Sequence, residues 1–195
     1  MKSPPTDAVR AHLAGLADAA NRTADVLAAR VTEVADLVAT TFEAGGKLLF
    51  CGNGGSAADA QHLAAEYVVR FRRHGRALPA IALTTDTSLL TAAANDLGFE
   101  QVFARQVEAL AQAGDVLFVH STSGESKNLI AAARTARERG VHTIALLARG
   151  GGALAAEVDR ALVVPTDSGA HAQELHLALG HAVCDIVEER LRRAG

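Results

Sequence analysis

Short apolar runs alternate with segments of helical periodicity from residue 47 onward, and this alternation constrains the fold more than any other feature of the sequence. The predicted strands are Leu48–Cys51, Ala80–Leu83, Val116–His120, Thr143–Leu147 and Ala161–Val164. The predicted helices are Ser56–Phe71, Thr87–Leu97, Glu100–Ala111, Ser126–Arg139, Ala153–Glu157 and a last one from about Ala172 to Arg193. Strands that alternate with helices form βαβ units, and helices then cover both faces of a parallel sheet. The pattern predicts the α/β class, as an αβα sandwich around a five-stranded, mainly parallel sheet.

The segment before this alternation carries helical periodicity and no chemical motif. Its apolar residues recur at helical spacing until Gly45 and Gly46, which end the pattern. We predict two helices there, with a break near Asn21. We further predict that residues 1–45 form a helical arm used in oligomerisation and that residues 46–195 form the α/β domain.

Composition excludes several classes of protein. The 195 residues are 49% hydrophobic and 21% charged, which allows a buried core and argues against a disordered chain. A net charge of −3 and few aromatic residues argue against nucleic acid or an anionic membrane surface as a partner. Two cysteines, Cys51 and Cys184, are too few for a disulfide scaffold. With no positively charged leader and no long apolar stretch, we expect a soluble, cytoplasmic protein.

Ligands of such sheets bind where the strands end, and the loop after the first strand is rich in glycine. It reads Cys51-Gly52-Asn53-Gly54-Gly55-Ser56-Ala57. Glycines let the backbone approach an anion, and the helix that follows offers free N–H groups, so the loop predicts a phosphate site. The segment also matches the formal dinucleotide fingerprint, but the nearest acidic candidate, Asp86, lies about thirty residues further on instead of about twenty. A turn that serves only strand–helix packing is the alternative.

The loop after the third strand, Ser121-Thr122-Ser123-Gly124-Glu125-Ser126, carries four hydroxyls within six residues. Hydroxyls and backbone amides at a helix N-terminus can donate several hydrogen bonds to one phosphate. The loop contains no lysine or arginine, which favours a phosphate monoester over a polyphosphate. A plain helix cap, which needs only one of these side chains, is the alternative.

Three segments, GNGGSAADAQH, TTDTSLLTAAAND and STSGES, closely resemble the sugar isomerase (SIS) domain family, and within it the isomerases of sedoheptulose 7-phosphate. The resemblance covers nearly all of the chain, including Gln173 and His181 in the last helix. It implies a flavodoxin-like αβα sandwich and a homotetramer with sites built between subunits. It also implies an isomerase that converts the ketose sedoheptulose 7-phosphate into D-glycero-D-manno-heptose 7-phosphate for nucleotide-activated heptose biosynthesis.

The resemblance assigns substrate contacts to both loops and to the predicted helix Thr87–Leu97. The residues implied to receive the phosphate are Ser56, Ser121, Thr122, Ser123 and Ser126. Those implied to contact the rest of the sugar are Asn53, Gly54, Gly55, Asn95 and Asp96, together with Glu66 and Gln173.

His62 and Glu66 lie four residues apart in the helix after the first loop, so they share a face. Isomerisation needs one group to move a carbon-bound proton and another to handle the carbonyl and hydroxyl protons, and a carboxylate and an imidazole suit these roles. A surface His–Glu pair is the alternative. Gln173 and His181 are eight residues apart, which separates them by about 12 Å along an ideal helix. Either Gln173 lies in an irregular start of the helix, or neighbouring subunits contribute the two residues.

In the resembling family, Glu66 matches the general base and His181 the general acid. The residues that match His62, Glu66, Gln173 and His181 bind zinc in members that carry it, which implies one zinc ion per subunit. For His176 we favour a buried or interface position.

Three positions depart from the family pattern and leave the identity of the sugar open. His171 stands where many members have arginine or lysine, Arg149 follows Ala148 where a Thr-Gly pair is common, and Glu125 replaces a usual asparagine. Two alternative functions follow: an isomerase of another sugar phosphate, or a non-catalytic SIS protein that binds the replication initiator. The relative with that second role lacks the acid–base residues, whereas Glu66 and His181 are present here.

Overall fold

A computed structural model describes residues 5–194, with side chains up to residue 192. The ends of the predicted arm and of the predicted domain, residues 1–4 and 195, lie outside the described part. The strands are β1 (Leu48–Gly52), β2 (Ala80–Ala82), β3 (Val116–Ser121), β4 (His142–Leu147) and β5 (Arg160–Val163). The α-helices are α1 (Pro5–Glu43), α2 (Gly55–Val68), α3 (Thr87–Leu97), α4 (Ala104–Leu110), α5 (Lys127–Glu138) and α6 (Gly169–Ala194). Single 3-10 turns occupy Phe99–Gln101, Arg149–Gly151 and Ala153–Glu157.

The five strands form one sheet in the order β2-β1-β3-β4-β5, with every pair parallel. This is the flavodoxin-like order, so the predicted αβα sandwich is confirmed. Alternate residues of each central strand point to opposite faces: Phe50 and Phe118 pack with α1, α2 and α6, whereas Leu49 and Leu117 pack with α4 and α5. Both faces are covered, which explains why the strands read as continuous apolar runs.

The sheet order places the two predicted phosphate loops side by side. β1 and β3 are neighbours, with Gly52 paired to His120 at their carboxyl ends. The chain leaves β1 for α2 on one face and leaves β3 for α5 on the other, so a crevice opens between the two loops. This is the switch point at which ligands bind in open parallel sheets.

The predicted break near Asn21 is wrong, because α1 is one continuous helix of 39 residues. Its buried residues follow helical spacing on both sides of that position, through Ala19, Thr23, Leu27 and Val31. An asparagine on the exposed side of a helix costs only a few tenths of a kcal/mol, which this buried stripe outweighs. The single helix predicted over Glu100–Ala111 is also wrong, since a 3-10 turn and the short α4 replace it.

The two halves of α1 differ in their surroundings. Residues from Ala19 to Phe42 contribute to the same hydrophobic core as α2 and α6. Near the start of the helix Val9 and Leu13 are about 60% exposed. The division into an arm and a domain stays a prediction. Within the described residues, no helix combines the length and apolar character needed to cross a membrane.

Candidate active site

The loop between β1 and α2 depends on glycine at two positions. Gly54 has a φ of +57°, in the left-handed region that other L residues rarely adopt. At Gly55 a Cβ atom would lie 2.2 Å from Nε2 of Gln173, so only glycine lets the Gln173 side chain rest against the first turn of α2. Ser56 is buried beside them, and its N–H donates to the carbonyl of Asn53 at 3.0 Å. These contacts bring Gln173 to the predicted phosphate loop.

The loop between β3 and α5 keeps its hydroxyls near its own backbone. The Oγ of Ser121 accepts from the N–H of Gly124 at 3.0 Å, and the Oγ of Ser123 accepts from the N–H of Glu125 at 3.3 Å. Ser126 occupies the position that caps α5, yet among the described residues its side chain makes no capping hydrogen bond. The cap alternative therefore does not account for Ser126, and its role in binding phosphate stays a prediction.

A reciprocal amide pair joins the two loops. The side chains of Asn53 and Asn128 each donate to the other at 2.9 Å, and Asn128 is buried in the first turn of α5. The Asn53 side chain is thus engaged with α5, while the contact of Asn53 with the sugar stays a prediction. The sequence analysis did not single out Asn128. A polar amide directly before the apolar Leu129 could have indicated a residue that bonds to the neighbouring loop.

Glu125 explains one departure from the family pattern. Its Oε1 accepts from the backbone N–H of Ala153 at 3.0 Å, which joins the hydroxyl loop to the turn after β4. Gly124 lies so close to that turn that a Cβ atom there would overlap the carbonyl of Gly151. The Glu125 carboxylate therefore works as a structural link between two loops.

His62, Glu66 and His181 meet between α2 and α6 within one chain. The Nε2 atoms of His62 and His181 are 2.9 Å apart, and His62 Nε2 is 3.2 Å from Oε1 of Glu66. The helices approach closely because Gly180 faces Leu63, where a Cβ atom would lie 2.5 Å from a leucine methyl. The predicted proton-transfer pair is thereby brought together by the structure.

The His181 imidazole has a distinct environment. Phe71 stacks on it, with ring centroids 5.0 Å apart and planes 21° from parallel. Burial lowers the pKa of His181, repulsion from His62 lowers it further, and the Glu66 carboxylate opposes both effects. A neutral imidazole, which can both accept and donate a proton, is therefore the favoured form.

Gln173 lies in the fifth position of a regular helix, so the proposed irregular start is wrong. Its side chain lies beside Asp59, which precedes His62 by three residues on the same face of α2. Asp59 is buried, and burial raises the pKa of its carboxyl group. Sequence reasoning missed Asp59, although its spacing from His62 and Glu66 could have indicated it.

Asn95 and Asp96 are the predicted substrate residues that the structure joins least to the others. Both are exposed near the end of α3, and the Asn95 amide donates to the Asp96 carboxylate at 2.7 Å. The next turn is held to the start of α5 by an ion pair between Glu100 and Lys127 at 3.0 Å. Their role in binding the sugar stays a prediction.

Two histidines lie beneath the phosphate loops. His120 and His176 are fully buried, as predicted for His176, with ring centroids 6.4 Å apart. Burial lowers the pKa of His120 to about 3 and that of His176 to about 4. Both rings are neutral near pH 7, so they add no positive charge under the hydroxyl loop.

The donor atoms at His62, Glu66 and His181 fit a zinc ion. Ligands about 2.05 Å from zinc in a tetrahedron lie about 3.3 Å from one another. The 2.9 and 3.2 Å separations match that edge closely, and imidazole nitrogens and a carboxylate are usual zinc ligands. Gln173 lies about two helical turns from this cluster, against Gly55 and Asp59.

Comparison with known proteins shows the family to which the chain belongs. The family model of the SIS domain matches residues 12–148. A phosphoheptose isomerase of Roseiflexus sp. (strain RS-1) is 54% identical over 174 residues, which cover 89% of this chain and 88% of the relative. The solved structure of a phosphoheptose isomerase from Francisella tularensis has a TM-score of 0.93 and 37% identity, covering 96% of this chain and all of that one. That of the Neisseria gonorrhoeae phosphoheptose isomerase has a TM-score of 0.90 and 45% identity, covering 95% of this chain and all of that one. The chain is an isomerase that belongs to the SIS domain family, and within it to the phosphoheptose isomerases.

Proposed function

We propose that this isomerase converts sedoheptulose 7-phosphate into D-glycero-D-manno-heptose 7-phosphate, a precursor of nucleotide-activated heptose. The contact of Glu66 with His62, and of His62 with His181, carries the proposal. The His62 imidazole and the Glu66 carboxylate thus lie about two to three turns beyond Ser56, in a helix that starts at a predicted phosphate loop. The phosphate binds to the hydroxyl loop and to Ser56, which leaves the carbonyl end of the sugar toward α2 and α6.

The reaction moves one hydrogen from C1 to C2 and another from the oxygen on C1 to the oxygen on C2. Glu66 removes the proton from C1 of the ketose while His181 donates a proton to the oxygen on C2, which gives an enediol. Glu66 then returns its proton to C2, and His181 takes the proton from the oxygen on C1, which yields the aldose. A neutral His181 imidazole serves both steps because one ring nitrogen donates and the other accepts.

A zinc ion at this site is part of the proposal. His62, Glu66 and His181 would hold it, with Gln173 as a fourth ligand supplied from the same groove. The chemistry that such an ion supplies when bound is Lewis-acid polarisation of the substrate carbonyl oxygen.

We also infer a homotetramer that works in the cytoplasm. Val9 and Leu13 lie one turn apart on α1 and are 60% and 57% exposed, which favours contact with another copy of the chain. Cys51 and Cys184 are both free thiols and both buried, as expected for a protein of a reducing compartment.

Incubation with sedoheptulose 7-phosphate and NMR of the products tests the proposed reaction. We expect the wild-type chain to form the heptose 7-phosphate, and Glu66→Gln to lower turnover by about a hundredfold or more, the scale of a lost general base. Glu108→Gln, at an exposed position of α4, is the matched control.

Two results would contradict the proposal. Turnover of Glu66→Gln within threefold of wild type would remove the role of Glu66. Faster conversion of another ketose phosphate would favour the alternative substrate, and no conversion of any would favour a binding protein.

A further inference from the structure

We propose that His12, His171 and Glu174 form a second zinc site, where the first turns of α1 pack against the first turns of α6. His12 Nε2 is 3.4 Å from Oε1 of Glu174, and His12 Nδ1 is 3.3 Å from Nε2 of His171. One nitrogen from each ring and a carboxylate oxygen lie within 4.8 Å of one another. The three side chains thus converge from two helices, with His12 lying 159 residues before His171 and 162 before Glu174 in the sequence.

The position of His171 is built into the packing of the two helices. Its ring lies over Gly15 of α1, where a Cβ atom would be 2.9 Å from Cε1 of the imidazole. Gly15 follows His12 by three residues, so both lie on the face of α1 that meets α6. The N–H of His171 donates to Oγ of Ser168 at 3.3 Å, which fixes the start of α6. A glycine in the interior of a helix is less favourable than alanine, and here it makes room for the imidazole.

The donor set is that of a zinc site with one open position. Two imidazoles and one carboxylate bind zinc in such sites, and a fourth position stays open to water or another ligand. Zinc ligands lie about 3.3 Å from one another, so atoms that lie within 4.8 Å must move closer to bind one ion. The side chains of His12 and Glu174 are 46% and 43% exposed, so both are free to make that adjustment.

This site is separate from the one between α2 and α6. Glu174 follows Gln173 directly, and successive side chains of a helix point about 100° apart. Gln173 faces Gly55 and Asp59, whereas Glu174 faces His12 on α1. A zinc ion at His12, His171 and Glu174 would join the exposed start of α1 to the helix that carries Gln173 and His181.

Zinc binding by the full chain, in a background without the first site, tests the proposal. The chain carrying His62→Ala and His181→Ala is stripped with a chelator and equilibrated with buffered free Zn²⁺, and bound zinc is measured by elemental analysis. We expect one zinc per chain in this background. Adding His12→Ala and His171→Ala should weaken zinc binding by more than about a hundredfold. Loss of a residue that only hydrogen bonds to a metal ligand already weakens metal binding by about 10- to 100-fold, and loss of the ligands themselves should weaken it more. The control adds His142→Ala, an exposed histidine at the start of β4.

Glu174→Gln keeps the shape of the side chain and removes its charge, so it tests the carboxylate with the fold preserved. In the same background we expect zinc affinity to fall at least tenfold, while circular dichroism and the unfolding temperature without metal stay unchanged. Equal zinc binding with and without His12 and His171, or none in the background, would overturn the second site. A wild-type chain that binds one zinc while the background also binds one would instead overturn the zinc proposed at His62, Glu66 and His181.

Discussion

At the scale of single residues, the phosphate loop after β3 combines hydroxyl donors with neutral surroundings. Its serines bond to their own backbone or stay free, and the histidine beneath it is neutral because burial lowers the pKa of His120 to about 3. The nearby cation Lys127 is 78% exposed and pairs with Glu100. Phosphate binding should therefore depend on hydroxyl groups more than on charge.

This reasoning gives a prediction for Ser123 and Ser126. Replacing both by alanine removes two donors worth about 1 kcal/mol each, so KM should rise about 30-fold while kcat changes little. Steady-state kinetics with sedoheptulose 7-phosphate measures both constants, and Ser88→Ala, an exposed serine of α3, is the control. Unchanged KM in the double variant would mean that these hydroxyls do not hold the phosphate.

At the scale of elements, the α2–α6 pair builds the proton-transfer site, and the segment after α2 completes it. The Glu188 carboxylate of α6 accepts from the backbone N–H groups of Phe71, Arg72 and Arg73 at 2.8, 3.1 and 3.0 Å. Phe71 in turn stacks on His181. One carboxylate thus holds the segment that fixes the orientation of the proposed acid.

We predict that Glu188→Ala weakens both stability and catalysis. Three N–H groups lose an acceptor whose side chain is only 14% exposed, so the free energy of unfolding should fall by about 2 kcal/mol. Release of Phe71 should lower kcat about tenfold, since displacement of a catalytic group by 1 Å costs still more. Denaturant unfolding and steady-state kinetics measure the two effects, with Glu138→Ala at the exposed end of α5 as control. An unaltered kcat would show that Phe71 is positioned by other contacts.

At the scale of the whole molecule, we expect four chains to assemble through the exposed apolar start of α1. Light scattering should give a mass near four times 20.2 kDa. Val9→Lys with Leu13→Lys should lower that mass, because charges on an apolar contact disfavour association. Leu110→Lys, on the opposite face of the sheet, is the control. A wild-type monomer with full activity would contradict the proposed assembly.

Mixed oligomers test which chain completes the site. Glu66, His62 and His181 meet within one chain, so a mixture of Glu66→Gln and His181→Ala chains should stay inactive after subunit exchange. Recovery of activity would show that Glu66 and His181 of one site come from different subunits.

The sequence by itself determined the order of the main elements, the parallel sheet and the position of the two loops predicted to bind phosphate. Each depends on a local pattern: apolar runs for the strands, a glycine loop at Gly54 and Gly55, and hydroxyls at a helix start. The His62–Glu66 pair was also predictable, because the spacing within one helix fixes which side chains share a face. The resemblance of the motifs to the SIS family supplied the reaction.

Only the tertiary structure decided which residues of different helices meet. Spacing along α6 separates Gln173 from His181, and the packing of α6 along α2 keeps them apart, with Gln173 against Gly55 and His181 against His62. The tertiary structure also decided the contact of His12 with His171, which no sequence pattern connects. Helical periodicity gives the direction of each side chain around its own axis, but the contact between two helices depends on the small residues that let them approach, here Gly15 and Gly180.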